Sequence, residues 1–250
     1  MGKKGASKAL KRSPSPAFWP ISRKGFNWVI KPVSGPHQSR KCLPILLILR
    51  DVTDYAKTKF EAKYILSKGL VKICGKIRRD EGFPVGLMDT IEFIPSNEAF
   101  RVIPSSANYL ALHPIKDEEK IFKLCRIENK TTVKNDKTQI NLHDGRSLLL
   151  DKNSEQAVED FNTFDVLKIE MPNSKILGHV KFGSGVPVII TDGANVGQLG
   201  KVVKIEKGVG LNPTMVTIER KNGSTFQSPV KNVFAVGDKE PWISLPEVPK

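Results

Sequence analysis

The first fifty residues contain eleven Lys or Arg and neither Asp nor Glu. The whole 250-residue chain has a net charge of +14, so most of the excess lies in its first fifth. The other 200 residues hold 29 basic and 26 acidic side chains and are nearly balanced. A like-charged segment repels itself unless something anionic lies opposite it. The same stretch is dotted with Pro, Ser and Gly and cannot build a packed core alone. Four aromatics in it, Phe18, Trp19, Phe26 and Trp28, are too many for a plain linker. Residues 1–41 are therefore expected to form an extended basic arm, its aromatics either stacking on bases or docking on the protein. Ordering of the arm is expected to depend on the anionic partner. The alternative is a disordered, solubilising tail.

A second concentration of charge runs from Lys57 to Arg79, with eight basic residues and Glu61 as the only acid. Thr58 stands three before Glu61, the spacing at which hydroxyl and carboxylate each satisfy a free backbone N–H. A short helix is expected there, with Phe60, Ala62, Tyr64, Ile65 and Leu66 as its apolar set and Gly69 as a left-handed C-cap. Pro44 suits the first turn of a preceding helix. The alternation of Val71 and Ile73 with Lys72 predicts a strand, Cys74-Gly75 a tight turn, and Ile77 a return to the inner face. Lys59 and Lys63 share a helix face. With Lys72, Lys76, Arg78 and Arg79 they would make a positive cradle for the phosphates of a folded RNA.

A pI near 9.7 favours an anionic partner, nucleic acid before membrane. The longest apolar run, Leu43 to Leu49, is far shorter than a span of roughly 20 residues, and no apolar stretch follows the basic N-terminus as a secretory signal requires. Cys42, Cys74 and Cys125 are odd in number and scattered, which points to a reducing compartment and away from disulfides or zinc. His37, His113, His143 and His179 are equally dispersed, so neither a metal site nor a cofactor is expected.

The Gly69-Leu-Val71-Lys-Ile73-Cys-Gly75-Lys-Ile77 stretch, closing on Met88-Asp89-Thr90-Ile91, resembles the alpha-L RNA-binding domain. Cys74 departs from the Asp or Asn usual before the turn glycine. Four blocks, SGPHQSRKCLPILLILRD, KICGKIRRDEGFPVGLMDTI, DGANVGQLGKVVKIE and KEPWISLP, together resemble the family of small-subunit ribosomal protein four of archaea and eukaryotes. The chain stops soon after PWISLP, which fits the archaeal form. The resemblance implies a structural role bound to small-subunit ribosomal RNA, with ribosomal proteins as neighbours, in the cytoplasm, and no catalysis.

Residues 96–172 carry short runs broken by Asn, Asp, Gly and Pro, which reads as a β-rich domain. Asp144-Gly145 marks a hairpin. Arg101, Lys123, Arg126, Lys130, Lys134 and Arg146 are either RNA contacts or a solvated face. Further on, Gly193, Gly197 and Gly200 tempt a phosphate-loop reading, but Asn195 stands where that loop needs Gly and Val202 replaces its hydroxyl. The stretch is more similar to the KOW motif of a small SH3-like barrel, where glycines supply turns and let the backbone approach a partner. Asn222-Gly223 adds a hairpin turn.

The expected architecture is α+β and multi-domain: the arm (1–41), an alpha-L RNA-binding domain (42–95), a β-rich central domain (96–172) and a C-terminal KOW barrel with an extension (173–250). Candidate RNA contacts in the arm are Lys3, Lys4, Lys8, Lys11, Arg12, Arg23, Lys24, His37, Arg40 and Lys41. Those beyond it are Lys57, Lys59, Lys63, Lys68, Lys72, Lys76, Arg78, Arg79, Asn195 and Lys201. Gly69, Gly75, Gly193, Gly197 and Gly200 are expected to serve turns or close backbone contact. Two other classes are weighed. A pseudouridine synthase would need a catalytic domain for which the chain lacks room. An RNA-binding transcription or RNA-processing factor of the KOW type would leave the arm and the alpha-L stretch unexplained. No membrane and no small-molecule substrate is expected.

Overall fold

The structure, a computed structural model, describes residues 9–107, 109–134, 137–150, 161–208, 210 and 212–246. Lys3, Lys4 and Lys8 lie outside the described residues. The protein is β-rich with few helices, and its described strands include three five-stranded sheets.

The arm is not fully extended. Strand β1 (Leu10–Lys11) pairs antiparallel with β2 (Trp28–Val29), so the segment doubles back on itself. Trp19 is buried and its Nε1 donates to the Cys42 carbonyl at 2.8 Å. Ile21 is buried beside it, and Phe18 meets Tyr109 with ring centroids 4.8 Å apart. The charge pattern gives no sign of this docking, because two buried side chains anchor a segment whose other residues are polar.

Strand β3 (Cys42–Pro44) leads into helix α1 (Ile45–Leu47), which continues as a wider turn through Val52. Pro44 has an extended ψ of 141° and ends the strand, so it precedes the helix and does not sit in its first turn. Residues 42–49 are buried throughout, and the run is core on every side. Helix α2 (Lys59–Ser67) follows, then β4 (Val71–Ile73), β5 (Lys76–Ile77), β6 (Pro84–Gly86), which pairs with β3, and β7 (Thr90–Phe93). Strands β8 (Glu98–Ser105) and β9 (Tyr109–Pro114) complete a sheet of order β5-β4-β7-β8-β9. The turn at 94–97, which spans the expected boundary between residues 95 and 96, is a hairpin inside this sheet.

After a short helix α3 (Asp117–Lys120) comes β10 (Phe122–Val133), a long strand with an irregularity between Ile127 and Asn129. Its first half pairs with β13 (Val166–Glu170) and its second half with β11 (Lys137–Leu142). Strands β12 (Ser147–Leu150) and β14 (Ile176–Val180) close the order β12-β11-β10-β13-β14. The Asp144-Gly145 turn joins β11 to β12, with Gly145 at a φ of 75°. The last sheet uses β15 (Pro187–Ile190), β16 (Leu199–Glu206), β17 (Met215–Glu219), β18 (Thr225–Pro229) and β19 (Val233–Ala235) in the order β18-β17-β16-β15-β19. Gly223, at a φ of 75°, lies in the turn between β17 and β18.

The central sheet is covered on both faces. Because side chains alternate along a strand, Phe122 and Leu124 enter a core shared with β15–β19, while Cys125 and Ile127 enter one shared with α1, α2 and the arm. Burial corrects the reading of two cations, Lys123 on β10 and Arg101 on β8. Both are almost completely buried, so neither lies on a solvated face or offers its charge to a partner outside the fold.

Candidate nucleic-acid interface

The interface is built from α2 outward. Thr58 Oγ1 accepts from the Glu61 N–H at 3.2 Å, and Glu61 Oε2 accepts from the N–H groups of Lys57 at 2.8 Å and Thr58 at 3.4 Å. These bonds from the Lys57 backbone and from Thr58 hold the Glu61 carboxyl below its ordinary range. So the one acid of the stretch is engaged in capping. Ala62 and Leu66 point into the core, but Phe60 and Tyr64 are 84% and 62% exposed. The expected apolar set thus splits, because only one side of so short a helix can meet α1. The outer side carries Lys59, Lys63, Phe60 and Tyr64, with Lys68 Nζ 5.4 Å from the Tyr64 ring centroid.

Gly69 ends the helix at a φ of 72°. A β-carbon there would lie 3.2 Å from Ile77 and 3.7 Å from the Arg79 guanidinium. Arg79 therefore sits over the helix C-terminus, where the backbone dipole favours a cation. Ile77 is 46% exposed and packs over Gly69, so the expected return to the inner face does not occur. Val71 and Ile73 are buried as the alternation predicts. Cys74 and Gly75 take φ values of 48° and 72°, the signs of a type I′ turn. Cys74 tolerates its left-handed backbone while its Sγ donates to Asp89 Oδ1 at 3.3 Å. Burial and the nearby Asp89 push that thiol up to about 12, so it stays protonated. Gly75 lies against Pro172 of this same chain.

Lys57, Lys63, Lys68, Lys76 and Arg79 are exposed, while Lys72 is half-buried opposite Glu92 in the ladder. Of the eight cations from Lys57 to Arg79, only Lys59 forms an ion pair with a described residue, Glu81 at 2.9 Å. Arg78 stacks on Phe83 with its carbon 4.5 Å from the ring centroid, and its Nε is buried without a hydrogen bond. The helix face and hairpin thus bring uncompensated charge onto one surface beside two exposed aromatic rings.

The other expected contacts scatter. Lys11, Arg23, Lys24 and Arg40 are exposed. Arg12 is tied inward, donating to Ser15 Oγ and to the Ile21 carbonyl, each at 3.1 Å. Lys41 pairs with Asp192 at 3.3 Å. His37 is corrected outright: its side chain is 6% exposed and Nε2 lies 2.9 Å from Asp89 Oδ2. A histidine in an acid-free arm reads as a surface group, but here it reaches a carboxylate that is 52 residues away.

Gly193 and Gly197 take φ values of 93° and 78° and shape the loop before β16, with Asn195 half-buried between them. A β-carbon on Gly197 would lie 2.7 Å from the Ser106 backbone nitrogen, so the close approach is to the β8–β9 turn of this chain. Gly200 is extended and its missing side chain leaves room for the Glu219 carbonyl. Lys201 is exposed on β16.

Sequence reasoning missed a buried polar cluster behind this surface. Lys123 Nζ donates to Asp89 Oδ1 at 2.6 Å and to Asp144 Oδ2 at 3.0 Å. Asp89 also accepts from the Gly86 N–H, and Asp144 pairs with Arg146 at 3.3 Å. Burial opposes ionisation of Asp89, yet the Lys123 ammonium and His37 hold its carboxyl well below the usual range. His143 stays neutral: its Nδ1 accepts from the Arg126 N–H, its Nε2 faces the Leu87 carbonyl, and burial beside Lys123 pushes it down to about 3. The cluster fastens the arm, the hairpin sheet and the central sheet together and so fixes the outer surface. A second buried cation, Arg101, donates to the Glu119 and Phe122 carbonyls, while Glu119 accepts from the Ser244 backbone.

The description Ribosomal family S4e matches residues 96–176, and the RS4NT (NUC023) domain matches residues 4–40. The small ribosomal subunit protein eS4 of Aeropyrum pernix is 46% identical over 249 residues, covering 99% of this chain and 98% of the relative. Its counterpart in Staphylothermus marinus is 45% identical, covering 99% of each. The crystal structure of the 30S ribosomal protein S4e from Thermoplasma acidophilum is similar with a TM-score of 0.66 and 31% identity, covering 79% of this chain and 96% of that one.

Proposed function

The chain belongs to the ribosomal S4e family, and from that premise we propose that it is a structural constituent of the small ribosomal subunit that binds ribosomal RNA and supports subunit assembly. Its relatives along the full length are small-subunit proteins of archaea, which does not favour the reading as a transcription or RNA-processing factor. Its role is one of binding, with ribosomal RNA and neighbouring ribosomal proteins as partners in the cytoplasmic ribosome.

The observation that carries the RNA surface is the set of α2 and hairpin cations that lack carboxylate partners. Repulsion among them is offset when phosphates come opposite, and the released counterions make such binding salt-dependent. Residues 42–95, with β8 and β9 completing their sheet, act in this reading as an alpha-L RNA-binding unit, the rest of 96–172 with β14 as a β-rich centre, and the rest of 173–250 as a KOW barrel with its extension, while the arm 1–41 adds further contacts. Lys63, Lys68, Lys76 and Arg79 are the principal phosphate ligands. The test is a set of binding isotherms of the full chain on small-subunit ribosomal RNA at graded salt. Affinity should fall steeply, with a log–log slope near −0.7 to −0.9 per neutralised phosphate. Salt-independent affinity would overturn it.

A further inference from the structure

The β1–β2 ribbon has two faces. In its register Leu10 stands opposite Val29 and Lys11 opposite Trp28. Leu10 and Val29 turn inward and pack on the core. Lys11 and Trp28 must then share the outer face, and Trp28 is 60% exposed with Lys11 Nζ 5.7 Å from its ring centroid. Phe26, next but one along, is 62% exposed. With Arg23 and Asn27 these residues line an open cleft of about 710 Å³. The same segment buries Trp19 completely enough to hydrogen-bond it, so it is able to hide an indole, and it leaves this one outside.

The charge around the cleft says what covers it. The chain has no Asp or Glu before Asp51, and the carboxylate of Asp51 is engaged by Arg50 at 2.9 Å. An exposed indole and phenyl ring among cations suit an anion that carries flat rings, which describes single-stranded RNA. We propose that the outer face of the β1–β2 ribbon is a stacking site for an unpaired RNA base, with Trp28 taking the base and Lys11 and Arg23 the flanking phosphates. The site rests on the RNA-binding reading and adds to it a contact separate from the α2 and hairpin surface. It does not depend on duplex geometry, since every base offers a π-face.

The test uses the full-length chain and a short oligouridylate at low salt, with tryptophan emission as the readout. A base stacked on an indole quenches it. Binding should quench the wild type, and Trp28→Phe should remove that quenching while keeping affinity within about threefold. Trp28→Ala should weaken binding roughly tenfold, the scale of removing one base–aromatic stack. Trp28 is exposed, so both variants should keep the wild-type urea midpoint. Lys63→Ala with Lys76→Ala and Arg79→Ala should keep the quenching. If wild type and Trp28→Ala bind the oligonucleotide equally, with emission unchanged, the stacking site is wrong while RNA binding stands. If the wild type binds neither this probe nor small-subunit ribosomal RNA, both readings fall. If Trp28 is shielded in assembled subunits but photocrosslinks to a protein and to no nucleotide, the occupant is a protein and the proposal is overturned.

Discussion

Lys123 Nζ lies 2.6 Å from Asp89 Oδ1, with both side chains buried between two sheets. One residue belongs to the long strand of the central sheet and the other to the turn that leads into β7. Together with Asp144 they hold adjoining parts of the fold by charge where apolar contacts hold the rest. A buried pair of this kind adds little net stability, but removing one partner leaves an uncompensated charge.

Replacing Lys123 with Met keeps the length of the side chain and removes the one ammonium that Asp89 and Asp144 share, leaving Asp89 to His37 and Asp144 to Arg146. Stability should drop by roughly 3–5 kcal/mol, the usual effect of breaking a buried pair. Urea unfolding followed by circular dichroism measures it. A loss below about 1 kcal/mol would mean that water or relaxation satisfies Asp89 and Asp144.

Acid should weaken the protein in two stages. Burial, with Lys123 nearby, pushes His143 from an ordinary 6.5 down to about 3. Between those values the unfolded chain binds the extra proton, so stability is full above about 6.5 and falls as pH drops. The slope from one such group is at most ~1.4 kcal/mol per pH unit. Asp144 is held down to about 2, its burial outweighed by the Lys123 ammonium. Its contribution is present above an ordinary 3.8 and is lost toward 2, and Asp89 acts in the same direction. Urea midpoints should therefore fall from pH 7 to 5 and faster below 4. His143→Gln should flatten the upper stage alone.

The arm is expected to stay attached in the free protein from Ala9 onward. Trp19→Ala removes a buried indole and its bond to the Cys42 carbonyl, and large-to-small changes of this kind lower stability by about 3–5 kcal/mol. Amide exchange across residues 9–41 should be slow in the wild type and fast in the variant. Equally fast exchange in both would return the arm to the partner-dependent ordering that its composition alone suggests.

How far the sequence is legible follows the range of each interaction. Thr58 with Glu61, Gly69, Cys74-Gly75, Asp144-Gly145 and Gly223 can be read because a cap or a turn is set by neighbours within a few residues. Phe60, Tyr64 and Ile77 cannot, since an apolar residue on a short element turns inward only where a second element meets it. Lys123, Arg101 and His37 read as surface cations for a related reason. Each is buried by partners far along the chain, 18 residues away for Arg101, 21 and 34 for Lys123 and 52 for His37. The exposure of Trp28 follows from the register of β1 on β2, which no local pattern fixes.

On the RNA surface, Lys63→Ala, Lys68→Ala, Lys76→Ala and Arg79→Ala in one chain should leave the fold intact, because all four side chains are exposed. Affinity for ribosomal RNA should fall, and the salt slope should lessen by about one for each phosphate no longer neutralised. Arg78 is left out of this set because its stacking on Phe83 gives it a packing role. A folded variant with wild-type affinity and slope would move the main RNA surface to the arm or to the loop from Gly193 to Lys201.

The most direct measurement is sedimentation of a native lysate through a sucrose gradient, with the chain detected by antibody. A structural constituent of the small subunit should travel with small subunits and remain there after a wash at moderate salt that strips loosely bound factors. Recovery of the chain wholly at the top of the gradient, apart from ribosomal RNA, would contradict the account.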